Sequence, residues 1–366
     1  DYEGKLIMVH AVIMAGGRGT RFWPESRQEH PKQLLSLLGP DSLIRQTVKR
    51  LQPFIPDRNI MVMTSQHLKP AIQEELEELP PENILGEPCG RDTAPCVGLA
   101  ASYLYRRDPD TIMIALPADH LIQPTERFQE QLQHAVNVVD AHPETIATFG
   151  IKPTFPATVY GYIQRGKPLT LSSPSPVFQV KRFCEKPDQE TAQQFVTEKN
   201  YYWNCGIFVW KVSTILNLIE QFAPEIHPPL SSIRQSLFTV DEQTTLDREF
   251  ANMPRISIDH AVMEQAPHIC VLEAAFDWED IGNWEALRNL SEKDCNGNTV
   301  SGQHCGIQTQ DCIIRGNRDT LITTLGVNNL LIVQTPDAIL IADRTKQDSL
   351  KALNDKLRDT GFSPYL

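Results

Sequence analysis

Val9-His10-Ala11-Val12-Ile13-Met14-Ala15-Gly16-Gly17-Arg18-Gly19-Thr20-Arg21-Phe22-Trp23-Pro24 decides the fold. A strand-length apolar run, Val9 to Ala15, feeds straight into a glycine cluster. Glycine lacks a Cβ, so the backbone N–H groups of such a loop can close on phosphate oxygens. The carboxyl end of the first strand is also where open α/β sheets hold their ligands. No Gly-Lys-Ser/Thr closes the loop, so it is not a P-loop. Phe22 stands at the third glycine position, so it is not the dinucleotide fingerprint. A structural turn would use glycine too. What favours an anion is the company of Arg18, Arg21 and, in Pro31-Lys32-Gln33, Lys32, within a chain whose net charge is -12.

Outward from this loop, strand-length and helical stretches alternate: Leu43 to Leu51, Asn59 to Thr64, Ala94 to Tyr105 and Thr111 to Leu116. That alternation predicts βαβ units and an α/β, Rossmann-like, mainly parallel sheet. Leu43, Ile44, Val48 and Leu51 recur near a 3.6 period, with Asp41 or Ser42 placed to cap the helix. Arg127 to Asp140 carries Phe128, Leu132, Val136 and Val139 on one face and is a second covering helix. After about Leu290 the texture changes to short apolar runs separated by Asn296-Gly297-Asn298, Gly302, Gly306, Gly316-Asn317 and Gly326. Such spacing predicts a small β-rich domain, closed by a helix over Asp348 to Arg358 with Leu350, Leu353 and Leu357 on one face. The expected domains are residues 9–290 and 291–366. The opening residues 1–8 carry no structural signal and receive no role.

The chain has 366 residues, 41% hydrophobic and 22% charged, a composition that buries a large core and argues against extended disorder. Its acidic balance argues against nucleic acid as a partner, so any anionic ligand must be held by a few placed cations. Eight cysteines show no C-x-x-C pair or zinc spacing and read as reduced thiols. No apolar run approaches the roughly 20 residues of a membrane span, and no signal peptide is visible, so no membrane association and a cytoplasmic location are expected.

Several acids and polar residues sit where ligands can use them. Asp119, in Pro117-Ala118-Asp119-His120, follows the strand ending at Leu116. It can ligate a divalent cation or merely cap a turn. Phe276-Asp277-Trp278-Glu279-Asp280-Ile281-Gly282-Asn283-Trp284 offers a second carboxylate, and composition does not choose among its acids. Tyr160-Gly161-Tyr162-Ile163, Phe183-Cys184-Glu185-Lys186-Pro187 and Trp203-Asn204-Cys205-Gly206 each set polar side chains among aromatic ones, the way sugars are bound. In Glu87-Pro88-Cys89-Gly90-Arg91-Asp92-Thr93-Ala94, Glu87 or backbone carbonyls can accept hydrogen bonds from a ligand, whereas Asp92 serves equally well as a helix cap.

Ala-Gly-Gly-Arg-Gly-Thr-Arg-Phe-Trp-Pro followed by Pro-Lys-Gln resembles the signature of sugar-nucleotide pyrophosphorylases, and its Phe-Trp-Pro variant resembles the mannose-1-phosphate guanylyltransferases. The other stretches resemble that family's motifs in the same order, over essentially Val9 to the C-terminus. The resemblance implies a GT-A-like nucleotidyltransferase sheet with a left-handed β-helix-type domain that mediates a homodimer. It also implies GTP and mannose 1-phosphate as substrates, and Mg²⁺, with Mn²⁺ or another divalent ion as an alternative. By the same resemblance Arg21 and Lys32 are catalytic. Ala15, Gly16, Gly17, Arg18, Gly19, Thr20, Glu87, Arg91, Asp92 and Asp119 bind the nucleotide. Gly161, Glu185, Lys186, Asn204 and Asp259 bind the sugar phosphate, and Asp119 and Asp280 hold the metal, with His120 beside them as support. Some relatives continue into a cupin-type isomerase domain for which this sequence has no room, so a transferase without isomerase activity is expected. The rival readings are transfer to another sugar 1-phosphate and a non-catalytic sugar-nucleotide sensor.

Overall fold

The computed structural model describes residues 8–17, 19–170 and 175–366; Arg18 lies outside the described residues. In chain order the early elements are β1 Val9–Met14, α1 Leu43–Leu51, β2 Ile60–Ser65, α2 Lys69–Glu75, β3 Ile84–Glu87, α3 Thr93–Arg107 and β4 Ile112–Pro117. They continue as β5 Leu121–Gln123, α4 Thr125–Ala141, β6 Ile146–Ile151, β7 Tyr162–Pro168, β8 Val177–Cys184, α5 Gln189–Glu198 and β9 Tyr201–Lys211. After α6 Val212–Phe222, α7 His227–Ser236 and α8 Glu242–Ala251 come β10 Ile269–Glu273, β11 Asp277–Glu279 and α9 Trp284–Asn289. The C-terminal portion holds β12 Thr299–Ser301, β13 Gln303–Ile307, β14 Ile313–Arg315, β15 Leu321–Leu325, β16 Leu330–Gln334, β17 Ile339–Asp343 and α10 Leu350–Asp359.

The chain forms two compact units. The first comprises the residues up to Gly16 with Thr47–Ala118 and Ile122–Trp278; the second comprises Gly17–Gln46, Asp119–Leu121 and Glu279–Leu366.

The first unit is built on a nine-stranded sheet ordered β3-β2-β1-β4-β9-β6-β10-β8-β7. β1 pairs in parallel with both β2 and β4, and Ala11, Val12 and Ile13 are wholly buried, which explains its unbroken apolar sequence. β9 pairs antiparallel with β4, β6 and β7, and β8 antiparallel with β10 and β7, so these two strands run against the other seven. Val97, Ala100 and Leu104 of α3 share one core cluster with Met61, Met113, Ile215 and Ile219. Burying a side chain of this size stabilises by about 1.5–3 kcal/mol. The chain leaves β1 toward β2 and β3 and returns on the other side of β1 as β4. The order therefore reverses at β1 and β4, and the crevice beyond their carboxyl ends is the expected ligand position.

In the second unit β12, β14 and β16 stack in parallel, with β17 antiparallel at the edge, while β13 and β15 form a second parallel pair. Ile313, Leu331, Val333, Leu340 and Leu350 pack in one cluster with Phe22, Trp23, Leu35, Leu37, Ile281 and Trp284. The large apolar side chains that follow the glycine loop are thus buried in this unit, with Phe22 edge-on to Trp284 at 4.9 Å between ring centres. Arg27 pairs with Asp337 at 2.7 Å, and Arg315 donates to Glu25. Ser42, one of the two expected caps, accepts the Arg45 N–H at 3.2 Å.

Candidate active site

In the first unit the glycine loop begins in a fixed frame. The Ala15 N–H donates to the Met63 carbonyl at 2.7 Å, and the Ala15 carbonyl accepts from the Thr64 hydroxyl at 3.2 Å. A Cβ on Gly16 would stand 3.5 Å from Glu87 Oε2, and one on Gly17 would meet nothing within 4 Å, so this backbone is open to a ligand. Glu87 closes β3 and is buried, and burial lifts its carboxyl to about 7 against a partly compensating hydrogen bond with Cys96. Its Oε1 has no partner among the described residues. The end of β4 is likewise pinned: the Ala118 N–H donates to Met14 O at 3.1 Å, and the Thr47 hydroxyl donates to Ala118 O at 3.0 Å.

Arg91 and Asp92, two of the residues expected at the nucleotide, both make contacts within the protein. Arg91 turns its guanidinium to the Ala251 carbonyl. Asp92 caps α3, accepting the Thr93 N–H at 2.8 Å with a φ of 69°. Their surroundings are tied to a distant segment, since the Ala94 N–H donates to Ile256 O and the Ile258 N–H to the Thr93 hydroxyl. That segment leads into the single π-helical turn Asp259–Met263, whose first residue is Asp259.

The expected sugar residues meet in the first unit. The Asn204 N–H donates to the Gly161 carbonyl at 2.8 Å; its amide donates to Asp259 Oδ1 at 2.8 Å, and its Oδ1 accepts the Gly206 N–H at 3.0 Å. A Cβ on Gly161 would lie 2.5 Å from Glu185 Oε2, so only glycine lets that carboxylate approach. Lys186, exposed and with a φ of 43°, pairs with Glu185. Burial and the Glu185 charge push the Asp259 carboxyl up to about 6, partly offset by the Asn204 hydrogen bond. Tyr160 packs edge-on against Trp203 and Trp278, with ring centres 5.2 and 5.1 Å apart, beside this group.

The charged cluster belongs to the second unit. Lys32 opens the short turn Lys32–Leu34 and is 6% exposed in its side chain. Its Nζ lies 2.8 Å from Asp119 Oδ2 and 3.6 Å from Asp280 Oδ1, and donates to the Asp280 carbonyl at 2.7 Å. His120 Nε2 is 3.5 Å from the same Asp280 oxygen. Burial raises the Asp119 carboxyl, but Lys32 and His120 outweigh it and hold the group below the usual aspartate range. Gly19 has a φ of 57°, and a Cβ there would come within 2.4 Å of Lys32 Cβ, so a side chain is excluded on both counts. A Cβ on Gly282 would lie 3.3 Å from Arg21 Nη1 and 3.4 Å from Asp280 Oδ2. Arg21, Lys32, Asp119, Asp280 and Gly282 therefore surround one spot. Gly282 was legible only as part of its motif; the structure adds that it faces Arg21 and Asp280.

This donor set suits a divalent cation. Two carboxylates already converge on one positive centre, the Lys32 ammonium. Mg²⁺ is commonly held this way, by one or two carboxylates with phosphate oxygens and water completing the shell.

A sheet whose strand order reverses at β1 and β4, a glycine-rich stretch after β1 and a lysine gripped by two aspartates are features of a nucleotidyl transferase. The chain belongs to that family, whose profile matches residues 10–297, while the MannoseP isomerase/GMP-like beta-helix domain matches residues 302–357. Within it the chain falls among the mannose-1-phosphate guanylyltransferases: it is 36% identical to the enzyme of that name from Klebsiella pneumoniae over 98% of this chain and 76% of that one. It is also 37% identical to the alginate biosynthesis protein AlgA of Pseudomonas fluorescens, over 96% of this chain and 72% of that one. A crystal structure described as mannose-1-phosphate geranyltransferase from Thermus thermophilus superposes with a TM-score of 0.84 at 29% identity, covering 96% of this chain and all of that one.

Proposed function

We propose that this enzyme transfers GMP from GTP to α-D-mannose 1-phosphate, giving GDP-mannose and pyrophosphate. An oxygen of the sugar phosphate attacks the α-phosphorus of GTP; the bond from that phosphorus to the bridging oxygen of the β-phosphate breaks, and its electron pair leaves with pyrophosphate. The nucleophile is already anionic, so no Ser, Cys or His base is needed, and the work left to the protein is alignment and charge cancellation. The observation that carries the reading is the grip of Asp119 and Asp280 on Lys32 with Arg21 alongside.

Lys32 and Arg21 offset the charge that builds on the transferring phosphate. Asp119 and Asp280 would hold a divalent ion, which we take to be Mg²⁺, whose chemistry is to polarise phosphate oxygens. The loop from Ala15 through Gly19 to Thr20 cradles the triphosphate. Glu87, a buried acceptor with an unused oxygen, serves the N1–H and exocyclic amine of guanine; Arg91 and Asp92 act there by shaping the loop. Gly161, Glu185, Asn204 and Asp259 take the mannose hydroxyls, and Lys186 the sugar phosphate. Exposed Ile307, Leu325, Ile339 and Ile341 support a homodimer through the C-terminal domain. Among the described residues no helix is long and apolar enough to cross a membrane, and the unpaired cysteines suit a cytoplasmic setting. A panel of nucleoside triphosphates against several hexose 1-phosphates, read by pyrophosphate release, tests the assignment. GTP with mannose 1-phosphate should exceed every other pair; equal or higher turnover with another pair would reassign the substrates.

A further inference from the structure

We propose that Asn354, on α10, is a positioning residue that sets the orientation of Arg21 and so makes the C-terminal helix part of the catalytic apparatus. The inference rests on the reading of Arg21 as a group that meets the phosphates.

Arg21 is the middle residue of the one-turn helix Thr20–Phe22. Its last residue, Phe22, is anchored by burial against Trp284 and by the Glu25 and Ser26 N–H groups on its carbonyl, so what remains to be held is the Thr20–Arg21 peptide. The turn's own closing bonds are Phe22 N–H to Gly19 O at 3.1 Å and Trp23 N–H to Thr20 O at 3.4 Å, the second beyond the usual range for such bonds. The shorter of the two bonds to the Thr20 carbonyl comes from outside: the Asn354 amide donates to it at 2.9 Å. Thr20 immediately precedes Arg21, so this bond fixes the peptide plane from which the arginine departs. One residue beyond the turn, the Trp23 indole donates to the Tyr365 carbonyl at 2.8 Å.

The composition of α10 makes Asn354 stand out. Leu350, Leu353 and Leu357 line the face of the helix that packs on Phe22 and Trp23, and Asn354 lies in that same stripe, 4% exposed. A leucine there would bury more apolar surface and leave no side-chain amide to satisfy. The asparagine instead makes one hydrogen bond, to Thr20, and its Oδ1 has no partner among the described residues. A buried amide spent on a single bond to the arginine-bearing turn points to control of that turn rather than to packing.

The test is a double-mutant cycle. Asn354→Leu deletes the donor and continues the apolar stripe of the helix with a somewhat larger side chain. Its melting temperature should stay within a few degrees of wild type while kcat falls about tenfold, the scale of a misplaced group, and the KM for each substrate changes much less. In an Arg21→Met background the same substitution should change kcat less than about twofold, since the residue it positions is gone. If the leucine variant fails to fold, Asn354→Ala, which also lacks a side-chain donor, carries the same comparison. An equal loss in both backgrounds, or no loss in wild type, would overturn the proposal while leaving the role of Arg21 intact. Full activity of Arg21→Met alone would overturn both.

Discussion

Asp119 and Asp259 are both half-buried aspartates, and each has a nitrogen 2.8 Å from a carboxylate oxygen. For Asp119 that nitrogen is the Lys32 ammonium; for Asp259 it is the Asn204 amide, with Glu185 adding like charge nearby. The first carboxyl is held below its ordinary value and the second is pushed up to about 6. Burial acts in the same direction on both, so the charge of the partner decides the sign. The difference separates two chemistries. An aspartate that stays ionised suits a cation and phosphates, whereas one that titrates near neutrality suits hydrogen bonds to sugar hydroxyls.

The largest way to break this contrast is to remove the cation. Lys32→Met should lower kcat about a hundredfold, an effect on the order of 3 kcal/mol, when turnover is followed by pyrophosphate release. It should also lower the melting temperature, because Asp119 and Asp280 lose the charge they share. Unchanged turnover would remove Lys32 from the chemistry. Gly161→Ala acts on the other cluster by displacing Glu185, whose Oε2 would lie 2.5 Å from the new Cβ. The KM for mannose 1-phosphate should rise about tenfold, with the KM for GTP nearly unmoved, as loss of substrate positioning predicts. A rise confined to GTP would place this group elsewhere.

The smallest effect is on stability. The folded Asp259 carboxyl titrates near 6 against about 3.8 when unfolded, so its contribution is fully present below about pH 3.8 and is lost as pH rises through 6. Asp119 has the opposite sign: its contribution is present above 3.8 and is lost as pH falls through its lower folded value. Urea unfolding of wild type and Asp259→Asn between pH 4 and 7 isolates the first of these. The asparagine variant should lack a decline on the order of 1 kcal/mol across that window, a figure that allows for solvent screening of a half-buried group. Parallel curves for the two proteins would mean that Asp259 is ionised throughout.

Much of this contrast was legible in sequence because its residues lie in short, ordered motifs. The glycine loop, Lys32 and the strand ends follow from local pattern, and α1 spans the expected Leu43–Leu51. What was not legible depends on distant partners. Arg91 reads as a ligand residue, and nothing in its local pattern shows its contact with the Ala251 carbonyl. Phe22 and Trp23 read as motif residues, yet they also form a core with Leu331, Leu340 and Leu350, more than three hundred residues further along the chain in each case. β9 is a largely apolar strand whose reversed direction leaves no mark on its composition. Choosing Asp280 among its acidic neighbours needed the family motif, because only the structure shows Lys32 donating to the Asp280 carbonyl.

The central claim is that the two aspartates gripping Lys32 are the ones that hold the ion for guanylyl transfer. Its most direct test is the electron paramagnetic resonance of Mn²⁺ titrated with GTP into wild-type and Asp280→Asn protein. The wild type should show enzyme-bound manganese whose signal and turnover saturate together, and the variant should lose both; an unchanged bound-manganese signal in Asp280→Asn would contradict the account.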